Sequence, residues 1–278
     1  MAQQKVKYTD TERTPAERAR ALLEEMTLDE KMAQLGCIFP FGDSYDDMEQ
    51  QALEMPYGIG QVSTLEMRRI RTLEEAAGWQ RKMQETVMRQ SPHHIPAIFH
   101  MEGLCGAFIQ EGTSFPSGIA RGSGWDPELE EKIAKVVAKQ EAACGITHIL
   151  APVLDISRDS RMGRQGETYG EDPALAAALG TAYTKGIQTT EAGGRRPESV
   201  AKHFLGFHNS QGGIHGTNSD TPSRLMEEIY GKPFQSAISE SGLKVVMPCY
   251  NSIDGEPASV SHRLLTELLR EKMGFDGL

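Results

Sequence analysis

DISRDSRMGRQGETYGEDP, residues 155 to 173, decides how the rest of the chain is read. Its nineteen residues hold three arginines (Arg158, Arg161, Arg164), five carboxylates (Asp155, Asp159, Glu167, Glu171, Asp172) and three glycines. A connector needs only turn residues and solubility. A loop rich in both charge signs can also fix itself with ion pairs and present forked donors to a polar ligand. It follows the apolar run Ile146 to Leu154, which reads as a buried strand. Asp172-Pro173 then places proline at the first position of a helix through Leu175, Leu179, Tyr183 and Ile187.

The strand, polar loop, helix order recurs on both sides. Upstream, Thr14/Glu17 and Thr27/Glu30 are capping boxes that start two entry helices. Gly58 to Leu65 is the first strand candidate, and Thr72/Glu75 caps a helix to about Gln90 with Trp79, Met83 and Val87 on one stripe. Ile95 to His100 is a second strand and Gly118 to Arg121 a short third. Asp126-Pro127 opens a helix ending near Gly145, and Ile146 to Leu154 is strand four. Downstream, Thr189 to Glu198 is a surface loop, Ser199 to Leu205 strand five, and Asn209 to Pro222 a Gly, Ser and Asn-rich loop long enough to be functional. Ser223 to Ser241 is a helix, Leu243 to Pro248 strand six, Arg263 to Met273 a helix, and Phe275 starts a seventh strand. Alternation of this kind predicts an α/β fold with a parallel sheet: a (β/α)8 TIM-type barrel, incomplete at its carboxyl end, with six strands and the start of a seventh. No fixed-period repeat or linker divides residues 1–278.

Composition narrows the partners. The net charge of −10 argues against nucleic acid and anionic membrane, both of which require a basic face. A neutral polar ligand fits better. Cys37, Cys105, Cys144 and Cys249 are widely spaced without a C-x-x-C, so they are expected to be reduced and mostly buried, with no zinc site or redox pair. The remaining histidines (His93, His94, His148, His208, His215, His262) show no metal spacing, and no metal or cofactor is expected. The amino terminus lacks the apolar core of a signal peptide and no run approaches the roughly 18 residues that span a membrane, so a cytoplasmic location is the expectation.

The organising stretch resembles the signature of glycoside hydrolase family 3, R-D-P-R-W-G-R-x-x-E-T-F/Y-G-E-D-P, with Ser160 in place of Pro and Met162 in place of Trp. Further blocks agree in order: M-T-L-D-E-K-M-A-Q-L (26 to 35), I-P-A-I-F-H-M-E-G-L-C-G (95 to 106), A-K-H-F-L-G-F (201 to 207), V-M-P-C-Y-N-S-I-D-G (246 to 255) and G-F-D-G-L (274 to 278). The resemblance covers nearly the whole chain. It implies retaining hydrolysis of a β-linked glucoside, with β-xylosidase the next activity, and no cofactor. It implies sugar-binding roles for Glu102, where the family often has Asp, and for Arg164, Lys202 and His203. Met247 and Tyr250 would supply an apolar floor and a hydroxyl. Arg158 and Arg161 are expected to pair with Asp155, Asp159 or Glu167 and brace the loop.

Lys202 and His203 are neighbours, so both reach one ligand only where the backbone leaves regular strand geometry. Retaining hydrolysis needs two carboxylates about 5 to 5.5 Å apart. The family's nucleophile is an Asp expected just beyond Leu278, and its acid/base commonly comes from a further domain. The chain is thus expected to be the amino-terminal catalytic-barrel domain, inactive alone, and to self-associate or pair with a missing carboxyl-terminal part through open strand edges. Two other readings stay open. One is a non-catalytic carbohydrate-binding or assembly fragment. The other is a β-N-acetylhexosaminidase, a branch that carries a D-S/T-H loop where this chain has Asp220-Thr221-Pro222. An unrelated barrel such as a phosphate-binding lyase would need a glycine-rich phosphate loop after strands seven and eight.

Overall fold

The computed structural model describes residues 7–41, 45–189 and 196–278. The first six residues, and most of the expected surface loop (190–195), lie outside them. Two compact units are present: Met1–Ser63 with Trp79–Ile98, and Thr64–Gly78 with Phe99–Leu278.

In the first unit, helices α1 (Pro15–Glu25) and α2 (Leu28–Ala33) start at the expected capping boxes: Thr14 and Thr27 accept from the backbones of Glu17 and Glu30, whose carboxylates return the bond. Strand β1 (Cys37–Ile38) pairs in parallel with β2 (Gln61–Ser63). Helix α3 (Tyr45–Leu53) lies between them in sequence. The part of helix α4 (Leu73–Gln90) that belongs to this unit, from Trp79 on, has Trp79, Met83 and Val87 buried along one stripe.

The second unit carries the remaining parallel strands: β3 (Ile98–Met101), β4 (His148–Ile149), β5 (Glu198–Phe204) and β6 (Val245–Pro248), each paired with the next. Helices α6 (Pro127–Ala143) and α7 (Pro173–Thr189) begin at Pro127 and Pro173, as read from the sequence. They pack on one another and bury Ile133, Val137, Leu179, Tyr183 and Ile187. No helix is long and apolar enough to cross a membrane among the described residues. Of the four cysteines, Cys144 and Cys249 are buried, Cys105 is half-buried and Cys37 is exposed.

Several elements differ from the sequence reading, each for a physical reason. Gly118 to Arg121 is a helix, α5 (Gly118–Gly122), and the strand that completes the six is the two-residue β1, too short to show a period. The two glycines lie one helical turn apart and press against the backbone of the organising loop. A Cβ on Gly118 would meet the Glu167 carbonyl oxygen at 2.2 Å, and one on Gly122 the Tyr169 oxygen at 2.3 Å. Strand four is cut short by Pro152, which has no N–H to donate, and resumes as a single bridge between Val153 and Lys202.

The helix expected over 223–241 is broken. A three-residue turn, α8 (Ser223–Leu225), leads into a π-type turn at Met226–Tyr230, and α9 (Lys232–Ser241) then starts anew. Pro233 excludes a continuous ladder there, because its ring would collide with the carbonyl four residues back. Residues 275–278 form no regular strand, but Leu278 donates to the Lys244 carbonyl and accepts from the Val246 N–H, both at 2.9 Å, so the edge of β6 is partly occupied. A hairpin, β7 (Ser252–Ile253) with β8 (Glu256–Pro257), turns on Asp254-Gly255, both at positive φ (51° and 81°). The helix after it, Arg263–Lys272, is of π type.

The residue that ties this unit to its loops is Arg121 on α5. Its Nε donates to both oxygens of Glu130 (3.1 and 2.8 Å), and its Nη1 to the carbonyls of Leu104 (2.7 Å) and Pro116 (2.6 Å). Tyr169 from the organising loop donates to the same Glu130 at 2.6 Å. The Arg121 and Glu130 side chains are 6% and 2% exposed, so removing one leaves a buried charge without its partner. Glu130→Ala is therefore expected to lose about 3–5 kcal/mol in a urea unfolding titration. A loss below about 1 kcal/mol would show that the network is dispensable.

Candidate functional site

The site is built at the carboxyl ends of β3, β4, β5 and β6, all within the second unit. Glu102 directly follows β3 and is set by two bonds to the backbone beyond it. Tyr183 on α7 donates to the Gly103 carbonyl (2.6 Å), and Arg121 holds that of Leu104. Residue 103 must be glycine, since a Cβ there would lie 2.2 Å from the Ile149 side chain. Lys202 on β5 donates through Nζ to Glu102 Oε2 at 2.5 Å; the lysine side chain is 3% exposed and the glutamate 28%.

Lys202 and His203 serve one cluster because β5 carries a bulge. Lys202 pairs with Met247 and Phe204 with Pro248, so two steps on β5 match one on β6 and His203 is the extra residue. The Lys202–His203 peptide bond is cis. Asp155, buried at the end of the fourth strand segment, accepts from the His203 Nδ1 (2.7 Å) and from its backbone N–H (3.3 Å) through the same Oδ2. That bond fixes the ring's proton on Nδ1 and leaves Nε2 as an acceptor. His208 Nε2 lies 3.9 Å from the same oxygen; burial keeps its imidazole below the ordinary histidine range against the pull of Asp155.

Arg164 joins this cluster from the organising loop. Its Nε and Nη2 donate to the two oxygens of Glu167 at 2.7 and 2.8 Å, its Nη2 lies 3.4 Å from His203 Nε2, and its Nη1 donates to His215 Nε2 at 3.1 Å. The guanidinium sits 5.0 Å above the ring of Phe207, which is buried among His203, His215 and Tyr250. Burial alone would raise the Glu167 carboxyl, but the bonds and charge of Arg164 outweigh it and hold the group below its ordinary value. Nearby, burial with His148 and Lys202 as neighbours pushes His100 down to about 4, and burial pushes the Cys249 thiol up to about 12, so neither is charged at neutral pH.

Of the residues singled out in the sequence, Glu102, Asp155, Arg164, Glu167, Lys202, His203, Met247 and Tyr250 gather here, with Tyr250 58% exposed at the rim. The bracing pairs are otherwise than expected. Asp155 is engaged by His203, and Glu167 by Arg164 itself, so the arginine expected to bind is also the one that holds the loop. Arg161 does pair with Asp159, drawing that carboxyl down to about 2, but on the exposed surface. Arg158 makes no hydrogen bond or ion pair among the described residues; it lines a separate cavity of about 550 Å³ with Trp125 and Glu171. Phe207, Arg121 and Tyr183 carry no site signal in the sequence; His215, with His208, is the residue that keeps the β-N-acetylhexosaminidase reading open, and the structure places it against Arg164. Among the described residues no group of three His, Cys, Asp or Glu side chains is placed to hold a metal.

Two outcomes are expected. Asp155→Ala strands two buried donors and is expected to cost at least about 2 kcal/mol in urea unfolding, with Asp155→Asn in between; a cost near zero would remove Asp155 from the framework. Because the Glu167 carboxyl is held low in the folded state, its stabilising effect is present above its unfolded pKa and lost as pH falls through the folded one. Glu167→Gln is then expected to flatten the acid limb of a Tm-versus-pH curve, and an unchanged limb would contradict this.

The description "Glycosyl hydrolase family 3 N terminal domain" matches residues 27–278. Curated relatives include a β-xylosidase of Formosa agariphila, 36% identical over 66% of this chain and 27% of its own length, and a β-glucosidase of Rhizobium radiobacter, 39% identical over 60% and 20%. Among solved structures, a β-glucosidase from Erythrobacter marinus superposes with a TM-score of 0.87 at 32% identity, over 98% of this chain and 36% of that one. A Listeria innocua β-glucosidase mutant in complex with laminaribiose gives 0.82 at 28% identity, over 95% and 37%. The chain thus spans about a fifth to a third of the length of these relatives.

Proposed function

The chain belongs to glycosyl hydrolase family 3, and on that premise we propose that it supplies the sugar-binding part of a retaining, β-glucosidase-type glycoside hydrolase. The observation that carries the reading is the meeting of the Lys202–Glu102 pair with the Arg164–His203 pair at adjacent strand ends. A pyranose presents a ring of hydroxyls that each donate and accept. Glu102 offers a two-oxygen acceptor, Lys202 and Arg164 offer charged donors, and His203 Nε2 offers a neutral acceptor whose tautomer Asp155 has already set. Met247 on β6 and Tyr250 at the rim bound the cluster.

Glycoside hydrolysis with retention needs one carboxylate free to attack and one acid free to donate. Asp155 is buried and accepts two bonds from His203, and Glu102 is paired to Lys202. Both are engaged in holding the cluster, so the part proposed for this domain is to bind and orient the glycone. A β-xyloside is the second reading, supported by the relative named β-xylosidase at 36% identity. The two sugars differ by one hydroxymethyl group, and the rim around Tyr250 would distinguish them.

Titration calorimetry of the chain with D-glucose and D-xylose tests the proposal. Glu102→Ala is expected to weaken binding of the preferred sugar by at least about 2 kcal/mol, roughly 30-fold, because buried hydroxyls lose a charged acceptor. Lys202→Ala should act alike. Binding of neither sugar, or binding indifferent to both substitutions, would overturn the assignment; tighter binding of xylose would select the second reading.

A further inference from the structure

His215 lies in the loop between Asn209 and Pro222, outside every element of the sheet, yet its ring is closely placed. Gly213, at φ +68°, lets this loop settle on the organising loop: a Cβ there would come within 2.5 Å of the Arg161 backbone. Thr217 donates through its hydroxyl to the carbonyls of Gln211 and Ile214, and Gln211 N–H donates to Asn218, so the turn carrying His215 is closed on itself. The imidazole then stands 4.9 Å from Phe207 edge-on and 5.1 Å from Tyr250 at a shallow 32° tilt. Its Nε2 accepts from Arg164 Nη1 at 3.1 Å.

A guanidinium has five N–H donors. Glu167 takes two of them, the second Nη2–H is directed at His203 Nε2, and His215 takes one on Nη1. One Nη1–H is left. His203 and Glu167 constrain one side of the guanidinium plane, and His215 alone among these partners constrains the other. We infer that His215 is a positioning residue for Arg164, which works only as the neutral Nδ1–H tautomer and orients the remaining Nη1–H toward the bound ligand. The inference rests on the sugar-binding reading of this cluster.

The electrostatics agree in sign. The groups facing His215 are Arg164 and Glu167 of the organising loop, His203 of β5 and Tyr250 beyond β6. Desolvation, then the Arg164 charge, depress its pKa, and Glu167 opposes them only in part. The neutral ring is the resting form. Protonation would turn Nε2 from an acceptor into a donor facing another donor and set two cations side by side, releasing Nη1. The contact is thus present above the folded-state pKa of His215 and lost as pH falls through it.

Two measurements on the full chain test this. In ring ¹H–¹⁵N spectra, with the His215 signal identified by its loss in His215→Gln, wild-type His215 is expected to titrate below the ordinary histidine midpoint with its proton on Nδ1. Arg164→Met should raise that midpoint and mix the tautomers; Arg164→Lys, which keeps the charge and loses the fork, should restore the low midpoint but not the single tautomer. Identical His215 behaviour in wild type and in both Arg164 variants would overturn the inference. The second measurement is D-glucose affinity between pH 7.5 and 5.5. The wild type should weaken by up to about tenfold per pH unit below the His215 midpoint, as for any single proton that excludes ligand. His215→Gln, whose side-chain oxygen accepts without titrating, should bind with a flat profile, and an unchanged slope in that variant overturns the inference. Absence of glucose binding at every pH would instead sink the sugar-site reading, and the spectra would still decide the contact.

Discussion

A single carboxylate oxygen sets the order of everything around it. Asp155 Oδ2 accepts from both the ring and the backbone of His203, and those two bonds join the end of the fourth strand to the bulge in the fifth. The ring bond chooses the tautomer of His203, so that its other nitrogen faces Arg164 as an acceptor. The backbone bond helps hold the irregular step that lets Lys202 reach Glu102 while His203 reaches the loop. The aspartate is buried and cannot be shared with solvent. A buried carboxylate is tolerated when its lone pairs are used, and here the partners are the residues that define the cluster.

Much of this was legible from the chain, though unevenly. The capping boxes at Thr14 and Thr27 and the Asp-Pro starts of α6 and α7 depend only on residues within one turn, and they fall where they were read. The strand count of six was right for partly wrong reasons. Gly118 to Arg121 reads as a short strand, whereas Gly118 and Gly122 serve a helix that must approach another backbone. The two residues of β1 were passed over because two residues carry no period. The Asp254-Gly255 hairpin has a purely local signal, a D-G pair between extended residues.

The site divides along the same line. Glu102, Lys202 and His203 stand at strand ends, where local pattern suffices to place them. The partners that fix them act over long separations: Tyr183 reaches back 80 residues to Gly103, and Arg164 reaches forward 51 to His215. In the sequence Tyr183 is one of four helical residues spaced by four, and nothing in that spacing says that its hydroxyl supports the segment after an acidic residue. The three arginines of the organising loop look alike in sequence. Their different fates follow from what faces them: exposed surface for Arg161, a separate cavity for Arg158, and a bidentate carboxylate over an aromatic ring for Arg164.

The glycine face of α5 has a bearing on how such proteins can be recombined. Because the main chain of the organising loop at Glu167 and Tyr169 rests directly on Gly118 and Gly122, with no side chain between them to yield, the two segments form one inseparable unit although more than forty positions apart. A loop borrowed from a relative with a different backbone path would meet a surface that cannot give way. Exchange of binding preference between such chains is then a matter either of point changes at the rim or of transplanting helix and loop as a matched set, and a library that shuffled them independently would consist largely of chains that do not fold.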